Sequence, residues 1–338
     1  MTHINLKASL LNNTQDFCAQ SCVINCPLEQ NKVIVDLVFQ LASYKEEGSK
    51  LHPKLYITTD IINVLKMLPG QASMEIGECS DFSEASRLAL KKCAPLAVNG
   101  WCIYINELED KVKYGIFRGD TNPTAVDIDD IILTEELPYK TIKIQQITNG
   151  AVQVQANNGS ILNISLNHQI GESTSPKNHL DELVRVIVSD VVEHKEQVTN
   201  FMSSLLNESI KKSHGCLIVV SKSSSVPSFL EADGTTLNNP IDFQSLVKVS
   251  IQMEKEAGSL VSMGHLLDGM LGSDGIVVFS KDARVLAFNC FTPLPTAANS
   301  MPLGGARRRA YDSLNDKIGN ELEAVYMQSQ DGVTEFRG

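Results

Sequence analysis

Residues 275 to 310 constrain the fold of this chain more than any other stretch. Gly275-Ile276-Val277-Val278-Phe279-Ser280 is an apolar run of strand length. Lys281-Asp282-Ala283 then reads as a turn, and Val285-Leu286-Ala287-Phe288-Asn289-Cys290-Phe291 as a returning strand. Two apolar runs joined by a short polar turn predict a buried hairpin. Beyond it lies Gly304-Gly305-Ala306-Arg307-Arg308-Arg309-Ala310. Ala306, Ala310, Leu314 and Ile318 recur at every fourth position, which predicts a helix from Ala306 with those residues on one face. Gly319 stands where a C′ glycine is expected, and Lys317 falls in the last turn.

Three arginines in the first turn oppose the helix dipole and surround N–H groups that have no intrahelical partner. A bound anion, most simply a phosphate, reconciles these features. The alternative is a solvated basic turn, or a set of ion-pair partners for the chain's many carboxylates. Asp274 opens the hairpin beside Gly275. A carboxylate there suits Mg²⁺ or Mn²⁺ when substrate phosphates supply the remaining oxygens. Read alone, Asp-Gly is equally a turn.

Together these motifs resemble the diadenylate cyclase (DAC) domain over about residues 190 to 338, the type found at the N-terminus of DisA-like proteins. That family carries Asp-Gly-Ala on a strand and Gly-Thr-Arg-His-Arg at the start of a helix. Asp274-Gly275-Ile276 and Gly305-Ala306-Arg307-Arg308-Arg309 match them here, with Ile276, Ala306 and Arg308 as the departures. The helix Val198 to Lys212 followed by His214-Gly215-Cys216-Leu217-Ile218-Val219-Val220 is similar to the family's helix and strand. Asp233-Gly234 and Ile241-Asp242-Phe243 resemble the stretch that follows. Phe291-Thr292-Pro293-Leu294-Pro295 resembles its adenine-holding loop, and Tyr326-Met327-Gln328-Ser329 a strand ending in a phosphate-contacting serine.

The resemblance implies an α/β domain with a mixed sheet flanked by helices. It implies a nucleotidyltransferase that condenses two ATP into cyclic di-AMP and pyrophosphate. Asp274, Arg307 and Arg309 would be catalytic, with Asp274 also the metal ligand for Mg²⁺ or Mn²⁺. Gly275, Leu294, Gly305, Arg308 and Ser329 would bind nucleotide. Because each domain holds one ATP, a homo-oligomer, at least a face-to-face dimer, is implied. The departures also admit a DAC-derived sensor that binds ATP or a cyclic dinucleotide without turnover.

The 338 residues suit two domains, and 43% hydrophobic with 20% charged residues is typical of a soluble globular protein. A net charge of -11 argues against a nucleic-acid polymer as ligand, because no basic stripe replaces counterions. No apolar run approaches the roughly 18–20 residues of a membrane span, and no signal peptide is evident at Met1 to Asn5. A reduced, cytoplasmic protein without a membrane partner is expected. Cys18, Cys22 and Cys26 are spaced by four, but match no common zinc or iron–sulfur pattern. They read as core or helix positions, as do Cys216 and Cys290 within their strands.

The polar stretch Gly171 to Lys177 suggests a boundary, giving an α+β domain at 1–170 of sensor or regulatory type and the DAC-like domain at 178–338. In the first domain, helices are expected at Lys32–Tyr44, Ile61–Met67 and Phe82–Cys93. Strands are expected at Lys54–Thr58, Gly100–Ile105 and Lys113–Phe117. A meander with Asn149-Gly150 and Asn158-Gly159 turns follows. Trp101 reads as core. No enzymatic motif occurs in this domain. Gly100-Trp101-Cys102-Ile103-Tyr104-Ile105 echoes Gly215-Cys216-Leu217-Ile218-Val219-Val220, which either hints at a duplicated fold or reflects the sameness of buried strands.

Overall fold

A computed structural model describes residues 6–21, 28–46, 48–68, 72–119, 128–135, 137–166, 176–252, 257–292 and 305–338. The chain is mixed α/β and divides into two compact units, residues 1–121 with 126–168, and 169–338 with 122–125.

The N-terminal unit opens with α1 (Leu6–Ser21), α2 (Leu28–Leu41) and a small ribbon, β1 (Lys45–Glu46) and β2 (Ser49–Lys50). Then come β3 (Leu55–Thr58), α3 (Ile61–Met67), β4 (Ser73–Cys79), α4 (Phe82–Cys93), β5 (Trp101–Glu107), β6 (Val112–Arg118) and α5 (Ile128–Ile132). The meander β7 (Thr141–Thr148), β8 (Ala151–Ala156) and β9 (Ile161–Ser165) closes the unit. Its seven-stranded sheet has the order β4-β6-β5-β3-β7-β8-β9, with β3 and β5 parallel and the other neighbours antiparallel. One face buries Leu55, Ile57, Ile103 and Ile142 against α1, α2 and α4. The other buries Tyr56, Tyr104 and Phe117 against α3 and α5. Asp60 and Asp81 cap α3 and α4 by accepting from Asn63 N (3.1 Å) and Glu84 N (2.8 Å), worth about 1 kcal/mol each.

The C-terminal unit runs α6 (Pro176–Ile187), α7 (Lys195–Lys212), β10 (Cys216–Ser221), α8 (Ser228–Glu231), β11 (Thr235–Asp242), α9 (Phe243–Gln252) and α10 (Ala257–Gly272). The hairpin β12 (Ile276–Phe279) and β13 (Arg284–Cys290) follows, then α11 (Ala306–Asn315), β14 (Leu322–Gln328) and β15 (Thr334–Arg337). Its six-stranded sheet is ordered β11-β13-β12-β10-β14-β15, and only β10 and β12 are parallel neighbours. Helices α6, α7, α9 and α10 cover Ile218, Val220, Val277 and Phe279 on one face. Tyr311 and Leu314 of α11, with Leu230 of α8, cover Leu217, Val219, Ile276 and Val278 on the other.

Several sequence expectations change in detail. Helix α11 stops at Asn315 rather than continuing to Ile318. Short bonds from Lys317 N to Leu314 O (2.9 Å) and Ile318 N to Asn315 O (3.2 Å) tighten its end, and Ile318 bridges to Leu322. Its buried face is Tyr311 and Leu314, while Ala306 is exposed. Helix α2 occupies Leu28–Leu41 rather than Lys32–Tyr44. Cys18, Cys216 and Cys290 are buried; Cys22 and Cys26 lie outside the described residues. Trp101 is half-buried against the first core. Among the described residues no helix is long and apolar enough to cross a membrane.

Candidate functional site

Four strand ends come together at one edge of the C-terminal sheet. Leu217 pairs with Ile276, Cys216 with Gln328, and Ile276 with Cys290. Extending that register by a residue or two places Asp274-Gly275, His214-Gly215 and Ser329 side by side, ahead of β12, ahead of β10 and after β14. With neighbouring strands about 4.8 Å apart, the row from Asp274 to Ser329 is about 10 Å long. The sequence suggested Asp274, Gly275 and Ser329 separately; the strand order makes them neighbours of one another and of His214-Gly215.

Helix α11 brings the arginines to this edge. Tyr311 and Leu314 dock it on Leu217, Ile276 and Met327, so its first turn overhangs the strand ends. Arg307 Nη1 donates to the carbonyl of His214 at 3.3 Å. Gly215 has φ +94°, and a Cβ there would come within 2.5 Å of Arg307 Nη1, 2.7 Å of Gln328 O and 2.9 Å of the Ser329 carbonyl carbon. A bare backbone is therefore what lets Arg307 lie over the start of β10. Gly275, at φ +100°, plays the same part against Asn289 and Cys290, whose backbone atoms a Cβ would meet at 2.9 Å.

The other members divide into two kinds. Asp274 and Arg309 are exposed, and neither forms an ion pair among the described residues. Gly305 is the N-cap of α11 and supplies no side-chain cap, so the first-turn N–H groups keep their capacity to donate. Arg308, by contrast, is tied into the fold. It donates from Nε to Asp312 at 3.2 Å, from Nη1 to Glu335 on β15, and lies 5.8 Å over the Tyr311 ring. Ser329 holds the β14–β15 turn: its Oγ accepts from Val333 N at 3.1 Å, leaving the hydroxyl proton free to donate. Leu294 lies outside the described residues.

Burial pushes the Cys216 thiol up to about 12, against the opposing influence of Ser213 and Arg307. It likewise pushes Cys290 to about 11. Burial therefore favours the protonated thiol at both positions. Among the described residues no group of three or more His, Cys, Asp or Glu side chains could hold a metal unaided. A single exposed carboxylate, Asp274, fits a cation that takes most of its oxygens from phosphates and water.

No protein-family model matches the chain, and no curated protein does. A solved structure of a hypothetical membrane spanning protein from Bacillus cereus is similar over 46% of this chain and 64% of its own length, at 23% identity and a TM-score of 0.29. A likeness that slight fixes neither fold nor function.

The sequence did not single out Gly215 as a site residue, although a glycine before a buried strand is a usable signal for close backbone approach. Asn289, at φ 52° beside Gly275, had no such signal.

Proposed function

We propose that the C-terminal unit binds an adenine nucleotide by its phosphates at this sheet edge and condenses two ATP into cyclic di-AMP and pyrophosphate, as its resemblance to the DAC domain implies. The observation that carries the proposal is the position of Arg307 over Gly215, in a row with Asp274 and Ser329. Fixed cationic and N–H donors at one edge, with a carboxylate in line, are what a transferring phosphoryl group requires.

In this reading Arg307 and Arg309 grip the phosphates from two sides, because residues two apart on a helix point about 200° apart. The uncapped N–H groups after Gly305 add neutral donors. Ser329 donates its hydroxyl proton to a phosphate oxygen, while Gly275 and Gly215 let the nucleotide approach the backbone. Mg²⁺ or Mn²⁺ held by Asp274 and the phosphates would supply charge neutralisation at the α-phosphate. The 3′-hydroxyl of one ATP attacks the α-phosphorus of the other, the P–O bond to pyrophosphate breaks, and the hydroxyl proton leaves to solvent. Closing the ring requires a second such domain face to face with the first.

A second reading, a sensor that binds nucleotide without turnover, is favoured by one feature. The residue after Gly305 is Ala306, which presents no hydroxyl to the phosphates where the family motif has threonine. Incubation with ATP and Mn²⁺ separates the two: the first yields cyclic di-AMP and pyrophosphate, the second returns bound, unchanged ATP. In either case Arg307→Ala with Arg309→Ala is expected to weaken ATP binding at least tenfold by calorimetry. Unchanged affinity would place the phosphate site elsewhere.

A further inference from the structure

The arginines of α11 do not share a face. Tyr311 and Leu314 are the buried residues that dock the helix on the sheet. At about 100° per residue, Arg307 stands roughly 40° and 20° from them around the axis, whereas Arg309 stands roughly 160° and 140° away. Arg307 therefore follows the docked face and reaches the carbonyl of His214 at 3.3 Å. Arg309 leaves the opposite face and is exposed. Contacts on both flanks fix this rotation. Arg307 is bonded to the start of β10 on one side, and on the other Arg308 donates to Glu335 of β15 and, from Nε, to Asp312 at 3.2 Å. Turning α11 far enough to bring Arg309 over the strand ends would break these bonds and lift Tyr311 and Leu314 out of the core.

The surroundings of Arg309 are bare. Its backbone N–H is spent within the helix, on Gly305 O at 3.1 Å. The helical neighbours its side chain could meet are Gly305, Ala306 and Ser313, all uncharged, and Asp312, which accepts from Arg308. A Cβ at Gly305 would meet no described atom within 4 Å, and Ala306 is exposed. The outward side of the first turn is thus open and made of small residues. The guanidinium beside it pairs with no carboxylate among the described residues.

We propose that Arg309 serves the nucleotide held by a second copy of this chain, so that each triphosphate is gripped by Arg307 of its own chain and Arg309 of the partner. This rests on the nucleotide reading above. A triphosphate seated over the row from Asp274 to Ser329 lies on the Arg307 side of α11. The helix, about 10 Å across with its side chains, stands between it and Arg309. In a face-to-face pair the outward side of one first turn meets the phosphates of the other site, where a guanidinium fork suits them. The site is incomplete in one chain alone, which ties phosphate affinity and turnover to pairing.

Mixed dimers of the full chain, co-expressed with two different tags and purified through both, test the assignment. One joins Asp274→Asn to Arg309→Ala. There the first chain lends its arginine to the second, whose site keeps its own carboxylate. With ATP and Mn²⁺ the 3′-oxygen of one ATP bonds to the α-phosphorus of the other, pyrophosphate leaves and the hydroxyl proton goes to solvent. This dimer is expected to form the linear dinucleotide and pyrophosphate about tenfold faster than either variant alone. The other dimer joins wild type to a chain carrying both substitutions. It is expected to be about tenfold slower than the first, because one site lacks its arginine and the other its carboxylate. Equal rates, or the reverse order, would place Arg309 in its own chain's site and overturn the proposal. Equilibrium dialysis with labelled ATP and Mg²⁺ asks the same without turnover. Arg309→Ala is expected to weaken ATP binding about tenfold where the chain is paired and less than twofold where dilution leaves it monomeric. An equal loss in both states, or a wild type that never pairs, would overturn the proposal while leaving the nucleotide reading in place. Wild type that binds no ATP in either state would remove that reading and this assignment together.

Discussion

At Gly215 the backbone takes φ +94°, and a methyl group would meet both the Arg307 guanidinium and the rigid carbonyl of Gln328. The guanidinium can move; the carbonyl cannot without disturbing the β10–β14 pairing. Gly215→Ala is therefore expected to destabilise the C-terminal unit by at least about 1 kcal/mol, and to weaken ATP binding severalfold by displacing Arg307. Denaturant melts and calorimetry check both effects. His179 on α6 gives a pH prediction in the same unit. Its Nδ1 lies 2.9 Å from Thr334 Oγ1, and burial lowers its pKa below the ordinary 6.5, with Glu182 and Glu335 opposing. The folded form binds a proton less readily than the unfolded chain. Its contribution is therefore complete above about 6.5 and is lost as pH falls from there through the lower folded value. Wild-type stability should decline from pH 6.5 downward, and His179→Gln, which keeps a partner for Thr334 but does not titrate, should show a shallower slope. Equal slopes in denaturant titrations at pH 7.5, 6.0 and 5.0 would contradict the assignment.

Helix α11 shows how far an element could be read from residues alone. Its start at Ala306 was legible, because a double glycine precedes a helix-forming run. Its end was not, because the four-residue spacing continues to Ile318, and only the fold reveals that Ile318 leaves to bridge with Leu322. The middle arginine is a similar case. In sequence Arg308 belongs to the motif as much as its neighbours; in space it joins α11 to β15 through Glu335. Arg308→Ala should thus cost about 1 kcal/mol of stability, the usual worth of partly exposed ion pairs, and leave ATP affinity within twofold of wild type. A tenfold loss of affinity without a stability change would return Arg308 to the phosphates. Strand β4 and helix α5 were absent from the sequence reading for a physical reason. Strand β4 is an edge strand with exposed and half-buried side chains and an internal Gly77, so it carries little apolar alternation. The five residues of α5 are too few to show a period.

For the whole molecule, the two sheets repeat one strand order: counted from β3 and from β10, both run 2-4-3-1-5-6, with β9 a seventh strand in the N-terminal sheet. That repeat was legible only as a faint echo, and the echo joined the wrong strands. Gly100-Trp101 opens β5, the third strand of its sheet, whose counterpart is β12 rather than β10. Apolar runs of buried strands are interchangeable in composition, so strand order, which separates them, emerges only from pairing. The candidate site has the same character. Asp274, Gly215, Arg307 and Ser329 are spread over more than a third of the chain and meet because β12, β10 and β14 are adjacent. The central claim is that this shared edge performs phosphoryl transfer between two ATP molecules. It is tested most directly by incubating wild type and Asp274→Asn with ATP and Mn²⁺ and quantifying cyclic di-AMP and pyrophosphate by mass spectrometry. The account predicts both products from wild type, and at least a hundredfold less from Asp274→Asn with ATP binding retained. Wild-type protein that binds ATP and returns it unchanged, or an Asp274→Asn variant that turns over at the wild-type rate, would contradict it.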